Sequence, residues 1–317
     1  MTLEHKEAFG LLEKSDNILV LTHRNPDGDA VGSAFALRSI LKEMGKRVRV
    51  EIDTVPPSLS MPVTEEAFGD FEPDFVVTVD VADKKLLTDE HLEKYGDRVN
   101  LAIDHHESNK PFAENLLLDF RASAACEVIF DMLEEASFSV SEATATALYL
   151  GISTDTGCFR YPNCTAHTLY AASRLVEKGA PNAEINRIVF ETKTRAYVQL
   201  EALAMSSMRT YFDGKCAVIV ITQDMFGKTG TTEADVHGIA ALPRQIEGVM
   251  AGIVIREKTD GTYKASVRTN EPLNAAGICG VFGGGGHRLA AGCDLTGTKG
   301  QVVNAILEAV EEALKEI

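Results

Sequence analysis

Val99-Asn100-Leu101-Ala102-Ile103-Asp104-His105-His106-Glu107-Ser108-Asn109 changes character within one step. An apolar, β-prone run stops at an acid and two imidazoles, then gives way to polar loop residues. In sheets flanked by helices the carboxyl ends of strands are where ligands bind. The stretch therefore reads as a strand delivering Asp104, His105 and His106 to such an edge. Taken alone, one histidine would cap the strand and the other would face water. The rest of the chain supplies partners that make more of them.

Upstream, a short amphipathic helix (Leu3 to Lys14) precedes a buried strand, Asn17-Ile18-Leu19-Val20-Leu21-Thr22. That strand runs into His23-Arg24-Asn25-Pro26-Asp27-Gly28-Asp29, a turn built from Asn-Pro and Asp-Gly signals. A helix from Ala30 to Met44 ends at Gly45, and Val48 to Ile52 is a second strand. Val55 to Pro62 reads as a loop. Phe75 to Val79 is a third strand that ends at Asp80, with Asp83 just beyond, and a helix from Lys85 to Tyr95 leads back to the opening stretch. Strands alternating with helices imply right-handed crossovers and an α/β fold with a doubly wound, mainly parallel sheet. Three strands then end in acids or imidazoles on one edge.

Downstream, Ser123 to Phe190 has a helical pattern, broken near Gly151-Ile152-Ser153-Thr154-Asp155-Thr156-Gly157. At 317 residues the chain exceeds the size at which one core keeps growing. The expected domains are 1–190 and 191–317, the second opening with a helical linker (Thr194 to Thr210) into a smaller α/β fold. Its strands are Cys216 to Thr222, Val249 to Arg256 and Tyr263 to Arg268, the last two joined by a hairpin turn at Lys258-Thr259-Asp260-Gly261. Pro272 to Phe282 should be helical, with Gly283-Gly284-Gly285-Gly286-His287 interrupting it. Val303, Ile306, Leu307, Val310, Leu314 and Ile317 form the core-facing stripe of a last helix, Lys299 to Ile317.

Lys and Arg total 31 against 47 Asp and Glu, a net charge of −16. Such a surface repels long polyanions, whereas a short nucleotide met by a local metal cluster is compatible with it. The six cysteines show no C-x-x-C pairing and read as reduced thiols. The first residues are charged and no stretch approaches the roughly 20 apolar residues of a membrane span. These features place the expected protein in the cytoplasm, away from membranes.

His23, Asp27 and Asp29 share one turn, Asp80 ends a strand, His105 ends another, and Asp155 sits in a Thr-Asp-Thr-Gly turn. Singly, Asp27 and Asp29 read as turn residues, Asp80 as a helix cap and His23 as a strand-end imidazole. Jointly, four carboxylates and two imidazoles at element ends are costly unless cations neutralise them. Two divalent ions about 3.5–4 Å apart would use this many ligands, clamp a phosphate and activate a water. The mixed His/carboxylate set favours Mn²⁺, with Mg²⁺ or Co²⁺ as substitutes, and the absence of thiolates argues against structural zinc. A second cluster, Gly283 to Gly286 with His287, could bring backbone N–H groups to an anion, helped by the dipole of a following helix. Arg268, at a strand end, is a natural phosphate partner. His5, His91, His167 and His237 lack such context and read as surface residues.

On His23-Arg24-Asn25-Pro26-Asp27-Gly28-Asp29-Ala30, Val79-Asp80-Val81-Ala82-Asp83, Asp104-His105-His106 and Thr154-Asp155-Thr156-Gly157, the chain resembles the DHH phosphoesterase superfamily across essentially its whole length. Gly284-Gly285-Gly286-His287 and Ala290-Ala291-Gly292 are similar to the DHH-associated C-terminal domain. The chain looks most like the bacterial nanoRNase/pAp-phosphatase (oligoribonuclease) branch. That resemblance implies hydrolysis of short oligoribonucleotides and linear dinucleotides to mononucleotides, of 3′-phosphoadenosine 5′-phosphate to AMP, or of both, by a metal-activated hydroxide in a cleft between the domains.

Carried over by motif, His23, Asp27 and Asp80 would hold one Mn²⁺, and Asp29, Asp80, His105 and Asp155 the other, with Asp80 bridging. His106 would face the scissile phosphate and Asp104 would orient an imidazole. Arg268, Gly284, Gly285, Gly286 and His287 would grip the substrate. Asn25, Ser108 and Asn109 fit the pattern without a definite role. Ala124-Ala125-Cys126 departs from it, where a Ser/Thr-richer stretch is expected, and lies off the metal motifs in sequence.

The alternatives are a cyclic-dinucleotide phosphodiesterase or a single-strand exonuclease of the superfamily. From a different class comes a non-catalytic nucleotide-binding regulator, whose mark would be a lost metal ligand, and none is lost. The expected partners are a short oligonucleotide or nucleotide, with homodimerisation left open.

Overall fold

A computed structural model describes residues 1–63, 71–236 and 238–317. The chain forms two compact units, Met1–Thr192 and Lys193–Ile317. In the first, α1 (His5–Lys14), β1 (Asn17–Leu21), α2 (Gly28–Glu43) and β2 (Arg47–Glu51) are followed by β3 (Phe75–Val79), α3 (Asp89–Tyr95), β4 (Leu101–Asp104) and β5 (Asn115–Leu118). Helices α4 (Ala125–Glu135), α5 (Glu142–Asp155), α6 (Ala166–Glu177) and α7 (Asn182–Asn186) complete it, with a π-helical turn at Arg187–Glu191.

The five strands are all parallel, in the order β2-β1-β3-β4-β5. Strand alternation divides the core between the two faces. Ile18 and Val20 pack with the helical layer that contains Leu37, Ile129 and Leu148. Leu19 and Leu21 pack on the other face with Leu87, Tyr95 and Val99. The doubly wound α/β reading is therefore correct. In this order the chain reverses direction across the sheet between β1 and β3, and ligand crevices open at the carboxyl ends of such a pair. His23 follows β1, and Asp80 follows β3 directly.

Three local readings are corrected. Asn115-Leu116-Leu117-Leu118 is a fifth strand that the sequence does not announce, being short and without a β-branched residue. Helix α2 begins at Gly28, so Asp29 belongs to its first turn, and Asp27 is the N-cap, accepting from the N–H groups of Asp29 and Ala30 at 3.1 Å each. Helix α5 runs unbroken through Gly151 to Asp155. Gly151 is a packing residue: a Cβ there would stand 2.2 Å from the Cys126 Sγ and 2.7 Å from an Asp29 carboxylate oxygen. A Cβ on Gly28 would likewise meet the Thr154 hydroxyl at 2.3 Å. The missing side chains let the start of α2 lie against the end of α5, which brings Asp29 and Asp155 together.

The second unit contains α8 (Arg195–Ser206), β6 (Arg209–Tyr211), β7 (Cys216–Ile221), α9 (Gln223–Thr229), β8 (Ala251–Glu257) and β9 (Tyr263–Thr269). It closes with α10 (Ala275–Gly280), β10 (Gly285–His287), β11 (Ala290–Leu295) and α11 (Lys299–Lys315). Its sheet runs β10-β11-β9-β8-β7-β6, with only β7 and β8 parallel. One face packs on Ile278 of α10 and Val302, Ile306 and Val310 of α11. The buried stripe of α11 thus includes Val302, while Ile317 lies exposed. The expected linker helix, α8, buries Leu200 and Ala204 against Ile219, Ile221 and Val254 on the opposite face.

The expected helix from Pro272 to Phe282 is confined to Ala275–Gly280. The glycine run after it opens a β-hairpin, so no helix N-terminus follows it. Gly283 turns with φ 72°, and a Cβ on Gly284 would stand 2.4 Å from the Gly292 carbonyl. Among the described residues no helix is long and apolar enough to cross a membrane.

Candidate metal centre and ligand cavity

The carboxyl edge of the first sheet gathers the residues singled out in the sequence. Asp80 leaves β3 with φ 57°, the left-handed region that non-glycine residues enter at a cost. It is not a helix cap. The conformation turns its carboxylate into the crevice between two imidazoles: Oδ2 lies 3.5 Å from His23 Nε2, and Oδ1 lies 3.6 Å from His105 Nε2. His23 Nε2 is also 3.9 Å from Asp27 Oδ1. On the far side, His105 Nε2 lies 3.3 Å from Asp155 and 3.8 Å from Asp29.

Two groups result, His23/Asp27/Asp80 and Asp29/His105/Asp155, linked by a third, Asp80/His105/His106, which shares Asp80 with the first and His105 with the second. Within each group the potential ligand atoms lie within 4.8 Å of one another. The cluster could hold metal ions, and one observation shows that it fits them. Asp80 Oδ1 and His105 Nε2 are buried and neither has a hydrogen-bond partner among the described residues. Buried polar atoms rarely stay unsatisfied, and a cation at this edge would satisfy both.

The electrostatics agree. Burial disfavours a charged imidazole at His23, yet Asp27 and Asp80 outweigh it and push its pKa up to about 10. His105 is likewise pushed up to about 10 against its burial, by Asp80, Asp29 and Asp155. Burial, then the Asp80 charge, raise Asp29 to about 7. Burial, then Asp29 and Asp80, raise Asp155 well above the ordinary carboxylate range. Protons on these groups stand where positive charge is wanted.

Asp29 does a second task. Its two carboxylate oxygens accept from the N–H groups of Ala125 (2.6 Å) and Cys126 (2.9 Å), the first residues of α4. The N-cap of that helix, Ala124, has no side chain able to cap it, so a carboxylate almost a hundred residues earlier in the chain substitutes. Ala124-Ala125-Cys126 is thus not remote from the cluster, as its place in the sequence implied.

Asp104 is fully buried and accepts from His106 Nδ1 at 2.8 Å and from the Asn109 amide. Asn109, without a role in the sequence, therefore holds the acid that holds the histidine. The Asp104 hydrogen bond raises the His106 pKa against the burial of the ring. With Nδ1 committed, the second ring nitrogen of His106 is available, and this side chain is 39% exposed against 13% for His105.

In the second unit, Arg268, Gly283, Gly284, Gly285 and Gly286 line a cavity of about 530 Å³. His287 is exposed beside it on β10, paired with Ala290 of β11. Arg256, Lys264 and Ser266 also line the cavity and were missed in the sequence. The period of two along Lys264-Ala265-Ser266-Val267-Arg268 was the available signal. Of the histidines read as surface residues, His167 is half exposed, but His5 and His91 are largely buried against Glu135 (2.8 Å) and Glu51 (3.1 Å). His237 lies outside the described residues.

The chain matches the family model "DHH family, N-terminal domain" over residues 17–152 and the DHHA1 domain over 213–316. It is 31% identical over 304 residues to the "Bifunctional oligoribonuclease and PAP phosphatase NrnA" of Thermus thermophilus, covering 94% of this chain and 90% of that one. It is 28% identical to the Bacillus subtilis protein of the same name, over 88% of this chain and 90% of the relative. A crystal structure of an exopolyphosphatase-related protein from Bacteroides fragilis superposes with a TM-score of 0.87 at 26% identity, over 97% of this chain and 96% of that one. Domain matches in order and relatives alike along nearly their full length leave one placement: the chain belongs to the DHH phosphoesterase superfamily, with a DHHA1 C-terminal domain, in the branch of the NrnA proteins.

Proposed function

We propose that this protein is a Mn²⁺-dependent phosphoesterase that hydrolyses short oligoribonucleotides and 3′-phosphoadenosine 5′-phosphate. The observation that carries the reading is the two His/carboxylate groups joined through Asp80 and His105, where Asp80 Oδ1 is buried without a hydrogen-bond partner among the described residues beside the equally unsatisfied His105 Nε2. The NrnA relatives give the substrate class its support.

His23, Asp27 and Asp80 would hold one ion, and Asp29, Asp80, His105 and Asp155 the other. Bound there, the ions supply Lewis-acid stabilisation of a phosphate and lower the pKa of water. The chain's own residues do the rest. Asp104, steadied by Asn109, fixes the His106 ring so that Nε2 points away from the acid. From there Nε2 donates to a phosphoryl oxygen and stabilises the charge that grows on it. Arg268 and the N–H groups of Gly284, Gly285 and Gly286 hold a phosphate of the ligand, with His287 beside its base. The neutralising sites are local and the rest of the surface is acidic, which suits short substrates over long ones.

Turnover of a dinucleotide, 3′-phosphoadenosine 5′-phosphate, a cyclic dinucleotide and pyrophosphate should be compared with and without Mn²⁺. Mn²⁺-dependent release of mononucleotides from the first two, with Asp80→Asn inactive on both, is the expected result. Preferential cleavage of the cyclic dinucleotide or of pyrophosphate would replace this assignment. Full activity in Asp80→Asn would remove the proposed centre.

A further inference from the structure

One short segment is bonded, directly or through a single side chain, to every member of the Asp29/His105/Asp155 group. It runs from Asp119, just after β5, to Cys126 in the first turn of α4, and among the described residues none of the three ligand groups draws an atom from it. Its Ala125 and Cys126 N–H groups hold the Asp29 carboxylate. Its Ala122 carbonyl lies 3.4 Å from His105 Nδ1. A carbonyl can only accept, so Nδ1 carries the proton of that bond and Nε2 is the nitrogen turned to Asp80 and Asp155. The third contact runs through Asn163, whose amide donates at 3.2 Å both to the Ser123 carbonyl and to the backbone carbonyl of Asp155. Among the described residues neither His23 nor Asp27 is bonded to this segment.

The segment is fastened at both ends. Where it leaves the sheet, the Asp119 N–H donates to the Asp104 carbonyl at 3.3 Å, and the Ala122 N–H closes a turn on the Asp119 carbonyl at 3.1 Å. The Asp119 carboxylate accepts from the Arg121 N–H at 2.9 Å and twice from its guanidinium at 3.0 Å, a bidentate pair of defined geometry. Arg121 is 81% exposed, so the pair adds little to global stability. What it fixes is the direction of the Ala122 carbonyl. At the other end the buried Glu127 carboxylate accepts from the Ser123 N–H (3.0 Å), the Ser123 hydroxyl and the Thr168 hydroxyl (2.9 Å).

We propose that Asp119 and Asn163 are positioning residues for the Asp29/His105/Asp155 group alone. Asp119 aims the carbonyl that orients His105, and Asn163 ties the Asp155 end of α5 to the same segment. The inference rests on the metal-centre reading above and assigns to that group a support that His23 and Asp27 do without.

Calorimetric Mn²⁺ titrations separate the two groups by background. His23→Ala leaves the Asp29/His105/Asp155 group whole, and Asp155→Ala leaves the His23/Asp27/Asp80 group whole. Asp119→Ala and Asn163→Ala, each placed in the His23→Ala background, should weaken the remaining Mn²⁺ affinity about 10–100-fold, the scale of losing the hydrogen-bond support of a ligand. In the Asp155→Ala background the same substitutions should change affinity by less than about twofold. Asp119→Asn still offers an oxygen to the Arg121 N–H and should recover most of the loss. Equal weakening in both backgrounds, as general loosening of the fold would give, overturns the assignment. So does no weakening in either, or a loss that Asp119→Asn does not reduce. If the wild type binds no Mn²⁺, the metal-centre reading fails instead. There, or where a background variant binds none, proton exchange in the metal-free protein decides the positioning. The His105 Nδ1–H and the Asn163 side-chain amide protons should be protected in the wild type, and the first should be lost from Asp119→Ala. Free exchange of either, or a His105 signal that survives Asp119→Ala, overturns it.

Discussion

Asp29 and Asp155 sit side by side and share a neighbour in His105, yet their removal should act in opposite directions on the metal-free fold. Asp29 satisfies two buried N–H groups at the start of α4. Asp29→Ala leaves both without a partner, at about 1–3 kcal/mol for each, and should lower the melting temperature measured in chelator. Among the described residues Asp155 caps no backbone N–H group; its burial, then the charges of Asp29 and Asp80, raise its pKa against the opposing pull of His105. An acid whose folded pKa is raised destabilises the fold once pH climbs above its unfolded value, about 4. Asp155→Asn should therefore raise the metal-free melting temperature by about 2–4 °C at neutral pH, with the gain fading near pH 4. Thermal melts of both variants at two pH values check this. A lowered melting temperature for Asp155→Asn at neutral pH would mean that its attraction to His105 outweighs the cost of burying it beside Asp29 and Asp80.

At the scale of elements, the centre depends on how closely α2, α4 and α5 approach one another. Gly151 is the point of contact, and an added methyl would overlap the Cys126 thiol and the Asp29 carboxylate. Neither neighbour is free to yield: Cys126 is fully buried, and the carboxylate is tied to α4. Gly151→Ala should cost about 1–3 kcal/mol in stability, as overpacked cores do. It should also weaken Mn²⁺ binding, because Asp29 must move. Chemical denaturation and a metal titration read the two effects separately. Unchanged values in both would show that the helices relax at no cost. The same logic holds at Gly32, where a Cβ would lie 2.4 Å from the Ala147 carbonyl, so Gly32→Ala should also destabilise the contact of α2 with α5.

For the whole molecule, protonation and metal binding compete for the same edge. His23 and His105 have pKa values of about 10 without metal, so both imidazoles are charged at neutral pH and must lose their protons to ligate. Mn²⁺ binding should release about two protons from these histidines at pH 7.5, with those displaced from the raised carboxyls of Asp29 and Asp155 added to them, and affinity should rise with pH until the histidines deprotonate. Calorimetric titration in two buffers of different ionisation enthalpy measures the number released. Release of none would mean that neither histidine is a ligand. Binding should also raise the melting temperature in proportion to the logarithm of free Mn²⁺.

Much of this was legible before any fold was known. Runs such as Phe75-Val76-Val77-Thr78-Val79 ending at Asp80, and the run ending at Asp104, mark their strands locally, because burial on both faces demands continuous apolar residues. The same local signal placed His23, Asp80 and His105 on one sheet edge and, with the motifs, identified the superfamily. What stayed hidden depends on contacts between distant segments. A glycine within Gly151–Gly157 reads as a break until α2 is seen lying against it. The glycine run before His287 reads as a loop until β11 returns beside it. Ala124 looks uncapped until Asp29 arrives from α2. By itself the sequence determined which residues could carry the chemistry and which strands deliver them, since side-chain type and periodicity are local properties. Tertiary structure alone decided which of those atoms meet, which are left unsatisfied and which side chains line the cavity of the second unit, because close approach, burial and register exist only once distant segments pack.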